Sequence, residues 1–375
     1  MADLKALSRE LRKIQGALLL PGREEEARVL MLSLISRHHV VLIGPPGTAK
    51  SLLISRLAKM LNAPYFEYQL SKYTLPEEIL GVPNVKLLRE QGVYKLITSG
   101  KLPEAVLAFL DEIFKGSSAI LNALLTILNE RKFFDGTQMV ECPLWTAMGA
   151  SNEVPEEPEL KAFYDRFQYR VFVQYLPPER WEELLQAYWV THQPGYQKTL
   201  PSFDFNIIKE AYNALWSVDV FTVKKQLLEI FMKLRDQSIE VSDRRKGRCL
   251  ITLAASAVLN GRGTATPEDL LALKYTLPST EEEAKVVEQV IIDIAGRQLK
   301  LRQQLSELIP QLKGLIEELE RAQSFEEALK VAEKLKPIHA KWSELSSAAQ
   351  GLEEAEEVRR LLNEFNELLV KKVRV

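Results

Sequence analysis

The chain opens with two helical patterns that lead into a strand. Residues 3–20 repeat apolar side chains on one helical face, and Pro21-Gly22 ends that helix. A second helix is predicted at about 24–36. The run 40–43, Val-Val-Leu-Ile, is short, rich in β-branched residues and bounded by Gly44-Pro45, which is typical of a buried parallel strand.

Strand and helix patterns then alternate as far as residue 173. Four further strands are predicted, at 65–70, 106–110, 144–149 and 170–173. Helical patterns lie between them, most clearly at 117–130. This alternation predicts a parallel five-stranded sheet covered by helices on both faces, which is an α/β fold. The longer segment at about 71–103 contains several prolines and glycines and is predicted to be an insertion.

The pattern after Pro177-Pro178 is helical. Residues 179–278 show no convincing strand, and from 281 the chain is rich in Glu, Lys, Leu and Ala. Apolar residues between 294 and 319 largely follow the three–four spacing of a coiled-coil seam. Because Pro310 falls inside this seam, we expect a kink or a new helix start there, and two to four antiparallel helices in all. The predicted domains are 1–190, 191–280 and 281–375.

Composition excludes several functional classes. Lys and Arg number 49 against 51 Asp and Glu, so the formal net charge of −2 makes a nucleic-acid binder unlikely. Cys142 and Cys249 lie far apart and offer neither a disulfide framework nor zinc spacing, and the four histidines form no metal motif. The chain shows no signal-peptide pattern and no apolar run long enough for a membrane span, so we expect a cytoplasmic protein.

Residues 44–51 form the strongest chemical motif, between the predicted strand at 40–43 and a predicted helix at about 50–61. They are Gly44, Pro45, Pro46, Gly47, Thr48, Ala49, Lys50 and Ser51. Backbone N–H groups exposed by glycines, together with a lysine, can surround the phosphates of ATP, and a serine hydroxyl can bind Mg²⁺. Ala49 stands where the usual GxxxxGK[ST] pattern has glycine, which is tolerable if this residue already has helical backbone angles.

A second motif is the pair of carboxylates, Asp111 and Glu112, that ends the predicted strand at 106–110. Strand ends of this kind lie at the edge of the sheet where ligands bind in open α/β folds. Asp111 would hold Mg²⁺ through its water shell, and Glu112 would polarise the attacking water as a general base. Taken alone, the pair is equally well explained as an ordinary acidic strand end. Together with the phosphate loop it favours ATP hydrolysis.

Three further residues are candidates with weaker support. Asn152 follows the strand at 144–149 and can orient a water beside Glu112, although strand ends often carry Asn as a turn residue. Arg166 lies just before the fifth strand, where a surface salt bridge is the alternative interpretation. Arg244 belongs to a Ser-Asp-Arg-Arg sequence that opens a helix in the second domain, from which an arginine can reach a phosphate.

At these motifs the chain resembles a known family. GPPGTAKS, VLAFLDEI, ASNEVP, YDRF and VSDRR occur in this order, and over roughly residues 5–280 the chain resembles the MoxR family of AAA+ ATPases, most closely the regulatory ATPase variant A (RavA) branch. The resemblance implies a P-loop AAA+ αβα core, an all-α lid domain and a C-terminal helical, coiled-coil-like extension. Ala49 fits, because AKS is common in that family.

The resemblance also implies a role for each motif residue. Lys50 and Ser51 correspond to Walker A, and Asp111 and Glu112 to Walker B. Asn152 corresponds to sensor 1 and Arg244 to sensor 2. Arg166 corresponds to the arginine finger that acts on the ATP of a neighbouring subunit, with Arg131 and Arg170 as rivals for that role.

Two segments correspond to structural insertions of the family. The segment 71–103 corresponds to the helix-2 insert, and 132–143, with Asp135-Gly136 as its turn, to the hairpin before sensor 1. In the family both features face the central pore of a ring.

These observations predict a homo-oligomeric, hexameric ring that uses ATP and Mg²⁺ to remodel or mature protein partners in a chaperone-like manner. Related ATPases lead us to expect a partner with a von Willebrand factor A domain. A nucleic-acid motor is the first alternative, which the acidic pI of about 6.2 makes unlikely. A nucleotide-gated scaffold is the second, with residues 281–375 recruiting a partner. Those residues can equally be a solvated bundle that packs on its own ring.

Overall fold

The computed structural model describes residues 3–18, 20–193, 200–322, 324–346, 349 and 353–373. The α-helices are α1 (Leu4–Leu18), α2 (Glu24–Ser36), α3 (Lys50–Leu61), α4 (Pro76–Leu80), α5 (Val85–Gln91), α6 (Ser118–Glu130), α7 (Pro158–Tyr164), α8 (Trp181–Thr191), α9 (Asn206–Ala214), α10 (Lys224–Asp236), α11 (Asp243–Leu259), α12 (Glu281–Arg321), α13 (Phe325–Leu345) and α14 (Glu353–Val373). Short 3₁₀ helices cover Leu102–Glu104, Ile113–Lys115, Pro178–Arg180, Leu215–Ser217, Phe221–Val223 and Pro267–Tyr275.

The strands are β1 (His39–Ile43), β2 (Tyr65–Gln69), β3 (Val82–Pro83), β4 (Leu96–Ile97), β5 (Leu107–Asp111), β6 (Lys132–Phe134), β7 (Met139–Glu141), β8 (Thr146–Ser151) and β9 (Phe167–Phe172). Five of them form one parallel sheet in the order β2-β5-β8-β1-β9, which confirms the predicted fold class. Strand β9 begins three residues earlier than predicted. The buried polar side chains of Gln168 and Arg170 conceal its apolar pattern in the sequence.

The central strand β1 is buried on both faces. Val40 and Leu42 join the apolar cluster beneath α1, α2 and α3, whereas Val41 and Ile43 join the cluster beneath α6 on the opposite face. Successive side chains of a strand point to opposite faces, so a strand covered on both sides needs apolar residues at every position. This double burial explains the unbroken apolar run.

The insertion and the hairpin contact each other through their backbones. The insertion contributes α4, α5 and the β3–β4 pair, and β6 and β7 form the predicted antiparallel hairpin. The backbone N–H of Leu96 donates to the carbonyl of Asp135 at 2.8 Å. A Cβ on Gly136, whose φ is +101°, would lie 2.5 Å from the carbonyl oxygen of Tyr94. Glycine at this turn therefore allows the insertion to close onto the hairpin.

The helical domain after the sheet has its own core. Its apolar cluster draws on α10, α11 and the 3₁₀ segment 267–275, and it continues into α12 through Val287, Val290, Ile291, Ile294 and Ala295. Helix α12 therefore belongs to the lid cluster at its start and to the C-terminal extension farther along. The predicted boundary at 280 and 281 remains a prediction.

In the described part of the C-terminal extension, α12, α13 and α14 form a helical bundle. Lys334 pairs with Glu318, and Lys341 with Glu307, so α13 runs antiparallel to α12. Helix α14 returns alongside α12, with the Nζ of Lys372 donating to the carbonyl of Ala322 at 2.8 Å. The number of helices and the antiparallel order of consecutive helices agree with the prediction.

Of the two outcomes expected at Pro310, a kink or a new helix start, the new helix start is wrong. Helix α12 runs without a break from Glu281 to Arg321 with Pro310 inside it. Leu308 and Leu312, on either side of the proline, are almost fully buried in the bundle. Packing against α13 and α14 offsets the lost backbone hydrogen bond. Of the helices in the described part of the chain, none combines the length and apolarity that crossing a bilayer requires.

Candidate active site

The phosphate loop joins the end of β1 to the start of α3. Its first glycine, Gly44, has φ +157°, and a Cβ there would lie 2.0 Å from the carbonyl oxygen of Val173, so no larger residue fits. Gly47 has φ +79°. These two glycines give the loop the curvature that turns its backbone N–H groups towards one side.

Ala49 departs from the expectation. It was predicted to be tolerable with helical angles, but its φ of 64° and ψ of 20° place it in the left-handed region as the residue that caps α3. A left-handed conformation costs an L-residue about 1–2 kcal/mol relative to glycine. The alanine is therefore a strained residue inside an otherwise standard loop.

Lys50 folds back over the loop. Its Nζ donates to the carbonyl oxygens of Gly44 at 2.7 Å and Pro45 at 2.8 Å. Burial lowers the pKa of Lys50, and the nearby carboxylates of Asp111 and Glu112 oppose that shift. The ammonium group is thus held over the concave side of the loop, within reach of any phosphate that the loop binds.

Ser51 and Asp111 meet at the end of β5. The Ser51 hydroxyl donates to Oδ2 of Asp111 at 3.3 Å, and Oδ1 of Asp111 accepts the backbone N–H of Glu112 at 2.9 Å. A hydroxyl oxygen beside a carboxylate suits Mg²⁺, which takes few protein ligands and keeps several waters. Among the described residues, no cluster of three or more His, Cys, Asp or Glu side chains could hold a metal alone.

Glu112 and Asn152 are also brought together. The Asn152 side-chain amide donates to Oε1 of Glu112 at 2.7 Å, and the same oxygen lies 3.2 Å from Nζ of Lys115. Glu112 itself has a left-handed backbone with φ 51°. Strain of this kind is concentrated at functional sites, and here it turns a carboxylate towards the residue that ends the neighbouring strand.

One cavity of about 350 Å³ collects most of these residues. It is lined by residues 46–52 together with Gln69, Asp111, Glu112 and Asn152. Gln69 was not among the predicted site residues. The available signal was a polar residue at the end of the second strand, which lies on the same edge of the sheet as Asp111.

The predicted arginines lie elsewhere. Neither Arg166 nor Arg244 is among the described residues that line this cavity. Arg244 is exposed at the start of α11, and Arg166 is half-buried after α7, where its Nε has no hydrogen-bond partner among the described residues. Burial lowers the pKa of Arg248, the charge of Arg244 and to a smaller extent that of Arg166 lower it further, and the Asp165 carboxylate opposes the shift, which indicates that these groups lie near one another. The three form a cationic group, the arginine face.

The two rivals of Arg166 are engaged inside the molecule. The Arg131 guanidinium contacts the carbonyl of Leu128 and, at 3.3 Å, that of Trp145. Arg170 is 1% exposed and donates to the carbonyls of Tyr164 and Pro278. Burial lowers the pKa of both guanidinium groups to about 10. Of these three arginines, Arg166 is the one whose guanidinium group is not held by backbone carbonyls of the described residues, so it is available to bind a phosphate.

Comparison with known proteins decides the family. A family described as the MoxR domain in the MoxR-vWA-beta-propeller ternary systems matches residues 5–210, and the AAA lid domain family matches residues 219–291. The chain belongs to the MoxR family of AAA+ ATPases. The first match contains every candidate residue of the core, and the second contains Arg244.

Individual relatives support this assignment. This MoxR-family chain is 36% identical over 298 residues to an uncharacterized protein of Methanocaldococcus jannaschii, covering 78% of each chain. It is 26% identical to chaperone MoxR1 of Mycobacterium tuberculosis, over 56% of this chain and 55% of that protein. A Cytophaga hutchinsonii crystal structure, described provisionally as an ATPase, covers 79% of this chain and 94% of its own, with a TM-score of 0.61 at 21% identity. That likeness shows the shared fold.

Proposed function

We propose that this MoxR-family protein hydrolyses Mg-ATP and uses the cycle to remodel or mature protein partners. The observation that carries the proposal is the arrangement at one edge of the sheet: Lys50 over the loop, Ser51 on Asp111, and Asn152 on Glu112. These residues come from three segments, the start of α3, the end of β5 and the residue after β8, and all of them face one cavity.

The loop and Lys50 bind the triphosphate. Backbone N–H groups of residues 44–51 donate to phosphate oxygens at the start of α3, where the helix dipole also favours an anion. Lys50 exchanges its bonds to the loop carbonyls for bonds to the β- and γ-phosphates. Ser51 and Asp111 hold Mg²⁺, which neutralises charge on the phosphates when it is bound.

Glu112 is the general base. It accepts a proton from a water that attacks the γ-phosphorus in line, while the bond to the β-phosphate oxygen breaks and ADP leaves. Asn152 fixes the carboxylate through its 2.7 Å hydrogen bond and orients the same water. Lys115, at 3.2 Å, is a second partner of this carboxylate.

A neighbouring copy completes the site. The cavity holds the lysine and the carboxylates, whereas the arginine face lies outside the described cavity lining. Phosphoryl transfer needs additional positive charge on the γ-phosphate. We therefore assign Arg166, with Arg244 beside it, to the nucleotide of the next subunit in a hexameric ring.

Helix α8 offers the surface for that neighbour. It contributes no buried residue, although one face carries large apolar side chains. They are Trp181, Leu184, Leu185, Tyr188 and Trp189. Thr191, at its end, lines a cavity with Ser51 and Leu52, so α8 borders the phosphate loop. An exposed apolar face of this size marks an interaction site. Its place beside the nucleotide favours a second copy as the occupant.

The relatives suggest the kind of partner. The matching family is defined in systems that also contain a von Willebrand factor A protein, and MoxR1 is called a chaperone. We propose that a von Willebrand factor A domain protein is a partner here as well. The narrower resemblance to the RavA branch stays a prediction.

The test is the variant Glu112→Gln. It should bind Mg-ATP as the wild type does, because Lys50 and the loop are unchanged, and turnover should fall by about 10²–10⁴. Calorimetry with Mg-ATP and a phosphate-release assay measure the two quantities. Lys115→Gln is the control, since it removes the other partner of Glu112 and leaves the carboxylate. Wild-type turnover in Glu112→Gln would contradict the assignment.

A further inference from the structure

Two residues beside the predicted arginines make a contact of their own. Asp165 precedes Arg166 in the core, and Arg245 follows Arg244 in the lid. The Nη2 of Arg245 donates to Oδ1 of Asp165 at 2.5 Å across 80 positions of sequence. The contact joins the end of α7 to the first turn of α11.

The same carboxylate faces a second arginine. The Nη2 of Arg170 lies 3.5 Å from Oδ1 of Asp165. Both guanidinium groups also converge on Ser279, whose hydroxyl accepts from Arg170 and from Arg245 at 3.2 Å each. One carboxylate therefore links the sheet, the lid and the segment that leads into α12.

The arrangement is sensitive because both cations are buried. Arg170 is 1% exposed and Arg245 is 6% exposed, and Asp165 is the carboxylate that pairs with each. Removing one partner of a buried ion pair leaves an uncompensated charge and is strongly destabilising. Neutralising Asp165 leaves two such charges, which would separate and move the lid relative to the core.

We propose that Asp165 and Arg245 are positioning residues that hold Arg166 and Arg244 at a fixed spacing for the phosphates of the neighbouring copy. Arg166 belongs to the core and Arg244 to the lid. The ion pair between their chain neighbours, Asp165 and Arg245, therefore sets the distance between the two arginines. The contact between Asp165 and Arg245 brings the two backbone segments that carry them together. The inference rests on the proposed function of Arg166.

Mixing two inactive variants tests the inference. Asp165→Asn keeps its own Glu112 and disturbs its arginines, whereas Glu112→Gln lacks the base and keeps intact arginines. At a mixed interface, the Glu112 site of the first variant meets the arginines of the second. A defect confined to the variant's own site could not be repaired in this way.

The expected results separate binding from turnover. Asp165→Asn alone should bind Mg-ATP within about twofold of the wild type, since the phosphate loop is unchanged, and turnover should fall by at least about tenfold. An equimolar mixture with Glu112→Gln should regain about a quarter of wild-type turnover, because random assembly in a closed ring gives that share of productive interfaces.

The matched control is Asp269→Asn. Asp269 is a fully buried carboxylate, whereas the Asp165 side chain is 31% exposed, and Asp269 pairs with Arg262 at 2.7 Å inside the lid. It should lower the thermal unfolding midpoint and leave turnover unchanged at a temperature below that midpoint. If Asp165→Asn fails to fold, Arg245→Lys is used in the same mixing assay. This variant keeps the positive charge and loses the planar guanidinium group that donates to two partners.

The outcomes distinguish the two proposals. Undiminished turnover in Asp165→Asn overturns the positioning role. The positioning role is also overturned if the mixture of Asp165→Asn with Glu112→Gln stays inactive while a mixture of Arg166→Ala with Glu112→Gln recovers turnover. In that case Arg166 is still supported as the arginine finger for the neighbouring copy. Absence of Mg-ATP binding to the folded wild type instead overturns the proposed function itself.

Discussion

The phosphate-binding edge and the arginine face are built in opposite ways. At the edge, each functional side chain has a partner within the core, as Ser51 has in Asp111 and Glu112 has in Asn152. On the arginine face, none of the three described guanidinium groups, Arg166, Arg244 and Arg248, forms an ion pair with a carboxylate of the described chain.

The difference supports the proposal that a second copy of the chain completes the site. Carboxylates that bind a cation and its nucleotide can be arranged in advance within one core, since hydrogen bonds hold them. Three neighbouring cations repel one another and are stabilised by an anion, as Asp165 stabilises Arg248, and none of the three forms an ion pair of its own within the described chain. In the proposed ring, the triphosphate at the edge of a second copy would supply this negative charge. We therefore propose that the two regions are complementary halves of one site.

The variant Arg166→Ala would break the comparison most strongly. If the arginine acts on the neighbour's ATP, turnover should fall by about 10³–10⁵ while binding of Mg-ATP to the loop is kept. Phosphate release and calorimetry measure the two. The control is Arg297→Ala, which removes an exposed arginine of α12 that pairs with Glu229. Equal effects of the two substitutions would contradict the assignment.

The variant Trp189→Glu tests whether a second copy covers α8. We expect assembly in the presence of ATP to weaken by tenfold or more, roughly the effect of losing one central aromatic contact. Sedimentation velocity over a range of concentrations measures it. Trp216→Glu, in the 3₁₀ helix that follows α9, is the matched control, because Trp216 is 66% exposed and Trp189 is 74% exposed. Loss of assembly in the control alone would place the contact near the end of α9 instead.

The smallest expected effect is that of acid on the free energy of unfolding, through a buried histidine of the core. His39, at the start of β1, is buried, and burial first, with the charge of Arg131 second, holds its pKa well below the usual range. Its Nδ1 accepts the backbone N–H of Ala147 at 3.0 Å, which a protonated ring could not do. The unfolded chain takes up this proton near pH 6.5, and the folded chain does so only at much lower pH.

Stability should therefore fall as the pH drops below about 6.5, by up to about 1.4 kcal/mol per pH unit for this one group. Urea denaturation at pH 7.5 and 5.5 measures the change in the free energy of unfolding. His39→Gln removes the titrating group and should reduce the difference between the two pH values. An unaltered pH dependence in that variant would exclude His39 as the source.

Local sequence patterns were sufficient to predict much of the fold and some of the residues that meet at the candidate site. The run 40–43 followed by Gly44 predicted a strand, loop and helix, and all three are present. Asp111 and Asn152 could be placed on one sheet edge, because parallel strands bring their carboxyl ends together. Gln69 on the same edge was missed, since a single polar residue at a strand end carries little information.

The remaining differences arise where packing overrides local preference. Ala49 takes a left-handed conformation because the loop closes around it, and Pro310 stays within α12 because neighbouring leucines are buried in the bundle. Neither outcome can be read from propensities, which count the local cost and omit the contacts that offset it.

The sequence by itself determined most of the strand positions, the phosphate loop and the identity of the acidic pair, because each is a pattern of residues close together along the chain, whereas the order of the strands came from the tertiary structure. Only the tertiary structure decided that Arg131 and Arg170 bond to backbone carbonyls, that Arg166 and Arg244 both lie near Arg248, and that Asp165 joins Arg245. These contacts link segments far apart in sequence. Because long-range contacts between charged side chains produce no periodic pattern in the sequence, they could not be predicted from it.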